Sequence, residues 1–469
     1  MLRPALSLLV LALSSAGAAV SSSGSRLLVV LDDVADKDKY SKFLGDLTSR
    51  GFDITYSTPK AESLQLFRLG QRTYDHAIFF PTKVKGLGPN LTPNTLLQFV
   101  KENGNILLAL SSEMAASSSI VSLLHELEIQ LPAERTGLVV DHFNYDAASA
   151  PDLHDVVLVP APAPVRPGVA DVFAAPGEER LLAFPRGVAQ TLGQSPLLNP
   201  VLRGPRTAYS YDPKEQGDSV DPDQLFAAGQ QLSLVSAAQA RNSARVAVVG
   251  SAEMLADKWF DAKVKPAGGA KDEVATYNRE FASRISAWAF QELGVLRVNW
   301  IEHHLNEAGA SNASNPSIYR VKNDVTYTIS LSQYDGKAWG PFTVPAADEL
   351  QLEFSMLSPF HRLPLKAAAL QPAPKEATAY SVSFKTPDQH GIFNFKVNYK
   401  RPFLTNIDTK DTVSVRHMAH DEWPRSYVIS GAWPWITGIG ATVTGWLAFV
   451  IVFMFSAPAK KASAAKKTQ

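Results

Sequence analysis

The chain opens its long polar stretch with an unbroken apolar run at 27–31 that ends in Asp32 and Asp33. The spacing over 37–48 then predicts a helix, and Gly51 leads into a second strand at 52–56. Strands at 75–80 and 106–110 repeat the pattern, with a helix between them that opens at Thr92 or Pro93, carries Leu96, Leu97, Phe99 and Val100, and stops at Gly104. A further short strand at 245–250 precedes a periodic helix at 280–293. Apolar runs without alternation, separated by helices, predict a parallel sheet covered on both faces, so residues 25–295 read as an α/β region. Dense Pro and Gly at 135–235 mark a smaller or inserted unit.

Past residue 296 the period changes to two. Segments 327–331, 350–356, 380–384 and 391–399 alternate polar and apolar positions and are joined by turns such as Asp335-Gly336 and Pro387-Asp388. This predicts an antiparallel β-sandwich over 296–425, one face on a core and the other wet. Linker-like composition is confined to 309–316 and 367–374.

The two ends are apolar in different ways. Residues 1–20 have a basic start at Arg3, a short apolar run at 6–13 and small residues at 16–19, which predicts a secretory signal peptide. After Arg425 no charged residue occurs until Lys460, and 433–455 is predicted to span a membrane. Trp433, Pro434 and Trp435 suit an interfacial belt, and Trp435 to Phe455 would extend ~32 Å as a helix. Small residues in its first half, among them Gly438, Gly440, Thr444 and Gly445, are expected to pack against partner helices together with Trp433. The tail 456–469 carries four lysines and no acid. That charge bias predicts a single-pass type I protein with its bulk luminal and its carboxyl terminus cytoplasmic. Lys466 and Lys467, fourth and third from the end, form a dilysine retrieval signal for the endoplasmic reticulum membrane.

Composition narrows the chemistry. The chain has 45 Lys+Arg, 45 Asp+Glu and no cysteine. Setting aside Arg3 and the four tail lysines leaves 45 − 5 = 40 basic against 45 acidic residues, which gives no field for gathering nucleic acid. Thiol nucleophiles and thiolate zinc sites are excluded. Asp32 and Asp33 follow a strand without a glycine-rich fingerprint, so a dinucleotide site is not expected, and helix capping outranks metal binding there. Gly250-Ser251-Ala252-Glu253 lacks the second glycine of a nucleophile elbow, and Ser251 reads as an N-cap. Only two histidine groupings invite a metal reading, His303 with His304, and His417 with His420 beside Asp421 and Glu422, and neither is expected to bind a metal. The sequons at Asn90 and Asn312 are candidate glycosylation acceptors.

Across nearly its full length the sequence resembles the family of the 48 kDa subunit of eukaryotic oligosaccharyltransferase, the wheat-germ-agglutinin-binding-protein type in fungi. The resemblance rests on LLVVLDD (27–33), GFDITYSTPK (51–60), YDHAIFFPTK (74–83), the stretch 91–113, RVAVVGSAEMLADKWF (245–260), YTISLSQYDGKAWGPF (327–342), QLEFSMLSPFHRLPL (351–365) and HGIFNFKVNYKRPFLT (390–405). It implies a Rossmann-like or amidotransferase-like first region and a structural, non-catalytic subunit without a cofactor of its own. Implied partners are a ribophorin-II-like subunit, the small multi-spanning defender-against-death-type subunit, the catalytic multi-spanning subunit and membrane lipid, with no nucleic acid. Glycan contact, if present, is expected at Asp32, Asp33 or Trp339. The competing readings are a glycan-binding luminal receptor and an autonomous luminal hydrolase or transferase.

Overall fold

The computed structural model describes residues 21–162, 172–173, 180–213, 225–267, 273–306, 314–368, 376–422 and 432–457. The signal-like segment 1–20, Asn312, and the tail with Lys466 and Lys467 lie outside the described residues. Residues up to Val415 form one compact body, and a second unit begins at Arg416.

A seven-stranded sheet organises the first part of that body. In chain order its strands are β1 (Arg26–Val30), β2 (Asp53–Ser57), β3 (His76–Phe79), β4 (Asn105–Ala109), β5 (Leu198–Arg203), β6 (Ser233–Gln239) and β7 (Arg245–Val249). Across the sheet they run β5-β6-β7-β4-β3-β1-β2. Helices α1 (Ser41–Ser49) and α4 (Asn278–Ala289) cover one face, while α2 (Pro93–Lys101) and α3 (Ser118–Glu126) cover the other. The unalternated apolar run of β1 follows from this: Leu27 and Val29 face α1 and α4, and Leu28 and Val30 face α2 and α3. Thr92 caps α2 by accepting from the Thr95 amide, and Asn103 in the left-handed region ends that segment before Gly104.

The sheet is mixed, which corrects the expectation of a parallel one. β1, β2, β3, β4 and β7 are mutually parallel, whereas β6 is antiparallel to β7 and β5 to β6. A short turn joins β6 to β7, and so brief a connection returns the chain antiparallel. Part of the Pro/Gly-rich region is thus built into the main sheet as β5 and β6. Other described parts of it form small two-stranded ladders, among them Val156–Pro160 with Leu181–Pro185 and Leu138–Val140 with Tyr209–Tyr211.

Two five-stranded antiparallel sheets follow. Their strands are β8 (Val295–Leu305), β9 (Ile318–Arg320), β10 (Asp324–Tyr334), β11 (Trp339–Pro341), β12 (Gln351–Ser355), β13 (Phe360–Pro364), β14 (Lys366–Ala367), β15 (Thr378–Lys385), β16 (Gly391–Tyr399) and β17 (Ile407–Arg416). One sheet is ordered β8-β10-β15-β14 with β11 on β10, the other β9-β17-β16-β12-β13. Aromatic rings join them: Phe395 of β16 stacks on His303 of β8 at 4.6 Å and on Tyr327 of β10 at 5.3 Å. His303 is no metal ligand here. Its ring is buried, with Nδ1 bonded to the Tyr319 hydroxyl at 2.6 Å and Nε2 to Asp411 at 3.1 Å.

The two parts of the body meet at a polar junction inside apolar surroundings. Arg245, at the start of β7, is fully buried and donates to the carbonyls of Trp288, Leu293 and Gly294 at 2.8, 2.6 and 2.7 Å. Phe403, from the loop between β16 and β17, enters the first core beside Trp288 and Phe173, and its carbonyl accepts from Trp288 Nε1 at 2.9 Å. The Thr405 amide donates to Gly294 O at 2.9 Å.

A second buried polar group sits at the same amino-terminal ends of the strands, linked to Arg245 through Asn105, whose Oδ1 accepts from the Arg245 amide at 2.9 Å. His76 Nε2 lies 3.0 Å from Gly24 O, and Nδ1 lies 3.2 Å from Asn105 Nδ2. An amide donor on Nδ1 and a carbonyl acceptor on Nε2 assign the neutral ring with its proton on Nε2. Burial holds its pKa down, at about 4, against the opposing pull of the Gly24 carbonyl. A base with a depressed folded pKa stabilises the fold fully above its unfolded value near 6.5 and loses that contribution as pH falls through about 4. Acidification over that window is expected to remove roughly 3 kcal/mol from this group alone. Histidine-selective NMR checks it: the His76 ring should stay neutral at pH 5, and a ring titrating near 6.5 would contradict the assignment.

The second unit contains α5 (Trp433–Phe455), a 23-residue helix with mean hydropathy 2.0 and none of it buried. It is the one described helix long and apolar enough to cross a membrane. Thr437, Thr442 and Thr444 donate their hydroxyls to the carbonyls of Trp433, Gly438 and Gly440. Those protons are therefore satisfied within the helix, which lets the threonines face hydrocarbon.

Candidate functional site

Parallel strands carry their ligand-binding loops at their carboxyl ends, so that edge of the sheet is the first place to look for chemistry. Here it brings together Asp32 and Asp33 after β1, Lys83 after β3, Ser112 and Glu113 after β4, and Ser251 and Glu253 after β7. Asp32 accepts from the Lys83 amide at 3.0 Å, with Lys83 Nζ at 4.0 Å. Asp33 accepts from the Ala35 amide at 3.1 Å, so it caps the 3-10 turn Val34–Tyr40 as its position suggested. The two carboxylates are thus committed to shaping loops.

The middle of the edge is closed by a piece of backbone. Segment 185–188 crosses the ends of β4 and β7, its ladder held by Val188 N to Gly250 O at 2.9 Å and by Ser112 Oγ to Arg186 O at 2.7 Å. Gly250 is required there, because a side chain would run into the carbonyls of Val188 and Leu234. Ser251 does not cap the following turn with its side chain; its hydroxyl donates to Pro185 O at 2.5 Å instead. A serine whose proton is given to a carbonyl is not poised as a nucleophile. Arg186, with φ of 42°, sends its guanidinium to Glu253 in a two-pronged pair at 2.9 and 2.5 Å, with Glu113 at 3.9 Å. The Glu253 hydrogen bond raises the Arg186 pKa. Sequence reasoning missed Arg186; no local pattern announces it, because its partners come from two other strand ends.

The remaining candidates are scattered. Trp339 is on β11, packed 5.3 Å from Tyr334, with the Arg297 guanidinium 4.0 Å over its ring. A saccharide would reach that face only by displacing Arg297. Asn90 lies half-buried in a turn, and the hydroxyl-bearing Thr92 of its sequon is the cap of α2. Gly438, Gly440 and Gly445 of α5 have no neighbouring atom near the position of a Cβ. Asp32 and Asp33 are not brought to Trp339 by any shared element. Among the described residues, no group of three or more His, Asp or Glu could hold a metal ion.

Residues 18–292 match the family model described as OST48, N-terminal domain, and residues 303–457 match that of the OST48 middle domain. The 48 kDa subunit of dolichyl-diphosphooligosaccharide–protein glycosyltransferase from Danio rerio is 34% identical over 431 residues, 92% of this chain and 91% of that one. Subunit wbp1 of the same transferase from Schizosaccharomyces pombe is 33% identical over 445 residues, covering 93% and 94%. The Arabidopsis thaliana 48 kDa subunit is 30% identical over 431 residues, covering 92% of each. A ThuA-like protein from Parabacteroides merdae overlays on 56% of this chain and 88% of its own at 13% identity and a TM-score of 0.30, too loose a likeness to carry an argument.

Proposed function

This chain belongs to the OST48 family of non-catalytic oligosaccharyltransferase subunits, and we propose that within such a complex it is an architectural piece held by α5 and by its large body. The observation that carries this reading is the closed strand edge: segment 185–188 and the Arg186–Glu253 pair fill the place where an α/β enzyme would hold substrate. In this reading α5 spans the endoplasmic reticulum membrane once, the body is luminal, and Lys466 and Lys467 serve as the retrieval signal. Transfer chemistry then lies in a multi-spanning catalytic partner. A ribophorin-II-like subunit and the small defender-against-death-type subunit are the neighbours we assign to α5 and the body.

Helical geometry divides the small residues of α5 into two surfaces. At about 100° per residue, Gly438, Thr442 and Gly445 share one side, while Gly440 and Thr444 stand roughly opposite. One chain with two small-residue sides suits a helix wedged between two others. Gly438→Leu with Gly445→Leu tests one side, and Gly440→Leu with Thr444→Leu the other. Each pair is expected to cut co-purification of the other transferase subunits by about tenfold while thermal unfolding of the body stays unchanged. Full co-purification of both variants would refute α5 as an assembly surface.

A further inference from the structure

An apolar tip stands at one end of the second five-stranded sheet. The turn 356–359 joins β12 to β13, with Met356 N bonded to Pro359 O at 3.2 Å. Leu357 in that turn is wholly exposed at 103%, Phe360 is 53% exposed and Ile392 of the adjacent β16 is 64% exposed. The register places them together. Ser355 pairs with Phe360 on one side and Asn394 on the other, so Phe360 shares an outer face with Ile392, two residues along β16. Inward positions on the same strands, Phe354 and Phe393, are fully buried and stacked at 4.7 Å. The outer apolar side chains are therefore surplus to the core.

The same register shows where the chain leaves. β17 runs antiparallel to β16 with Val415 opposite Gly391, so it ends beside Ile392 and beneath Met356, which lies over Gly391. From that end the chain continues to α5. The apolar tip and the exit toward the membrane helix thus share one end of the sheet.

We propose that the 356–360 tip, with Ile392, dips into the headgroup and acyl boundary of a lipid bilayer. The partner is membrane lipid, for three reasons. A turn carrying two bulky apolar residues is too small for a stable protein interface, which needs about 800 Å² on each side. Its exposed residues are the aromatic and aliphatic types that partition into the interface. Arg362, whose guanidinium stands 5.4 Å from the Phe360 ring and 3.2 Å from Glu353, places a cation beside them that can reach upward to phosphates. The tip would give the body its own point of contact with lipid, in addition to the covalent anchor through α5.

This inference rests on α5 being a membrane span, and the test separates the two. The chain has no cysteine, so a single introduced thiol carries a fluorescent label at one known place. Leu357→Cys, Phe360→Cys, Asn398→Cys at the far end of β16 and Phe449→Cys in α5 are each labelled in the full chain. The chains are placed in phosphatidylcholine nanodiscs containing lipid with a nitroxide near its headgroup. Labels at 357 and 360 are expected to be quenched at least about two-fold more than the label at 398, and 449 to be shielded from aqueous quencher. If 449 is shielded while 357 and 360 match 398, the tip proposal alone falls. If 449 is open to water, the span fails and the tip with it. Labels at 357 and 360 that are open to water in nanodiscs, and shielded only in the assembled transferase, would assign the tip to a protein neighbour and overturn the lipid assignment.

Discussion

Arg245→Met is expected to destabilise the body by about 3–5 kcal/mol, the range for leaving buried polar partners uncompensated. The reason is the number of acceptors gathered on one side chain. Trp288, Leu293 and Gly294 supply carbonyls from the end of α4 and the turn after it, where the helix dipole is negative and no further turn can satisfy them. Arg245 meets all three, reaches Thr405 Oγ1 at 3.3 Å, and lies 5.0 Å over the Trp288 ring. Among the described residues no carboxylate is bonded to it, and burial pulls its pKa down to about 9, so at neutral pH it remains a cation held by carbonyl dipoles. Methionine keeps the stem's volume and removes every donor, which isolates the hydrogen-bond contribution. Arg245→Lys should fall between, because an ammonium cannot reproduce the planar fork. Thermal or denaturant unfolding measures both. A methionine variant within about 0.5 kcal/mol of the parent would mean the carbonyls are satisfied otherwise.

Gly294→Ala should have an effect of similar kind at the same junction, about 2–4 kcal/mol. Gly294 adopts φ of 67°, which by itself costs alanine roughly 1 kcal/mol. The larger cost is steric: the new methyl would overlap the Phe403 carbonyl, which is the acceptor for Trp288 Nε1. Loop 401–405 would have to lift, taking the Phe403 ring out of its contacts with Trp288 at 6.1 Å and Phe173 at 4.8 Å. The expected signature is loss of amide protection confined to 401–406 and the start of β8, with calorimetry resolving two transitions in place of one. An alanine variant with unchanged exchange at Thr405, whose amide is bonded to Gly294 O, would show that the loop is not seated as described.

The regular parts of the fold were legible because their signals are local. β1, β3, β4 and β7 are short apolar runs, and α2 has a capping threonine, a proline at its start and periodic apolar residues. β6 was not legible: Ser233–Gln239 is SLVSAAQ, entirely buried yet composed largely of serine, alanine and glutamine. Its burial comes from lying between β5 and β7, which is a property of the sheet and not of the segment. β17, inside the predicted β-sandwich, was not singled out for a different reason: IDTKDTVSVR alternates, but its outward positions are strongly polar and mask the period. The candidate site divides in the same way. Asp33 could be read as a cap because its partner is two residues away, whereas Arg186 and Glu253 meet across 67 residues.

The sequence by itself determined the order of the parts: an α/β region, an alternating β region, one apolar helix and a lysine-bearing tail. It also determined the absence of thiol chemistry and the family, because these depend on residue identity and short-range period. Tertiary structure decided that the sheet is mixed, that segment 185–188 closes its carboxyl edge, and that Arg245, Gly294 and Phe403 join both regions into one body. Each of those outcomes depends on atoms brought together from distant positions, where the energy is set by burial and by which hydrogen-bond partners remain in reach.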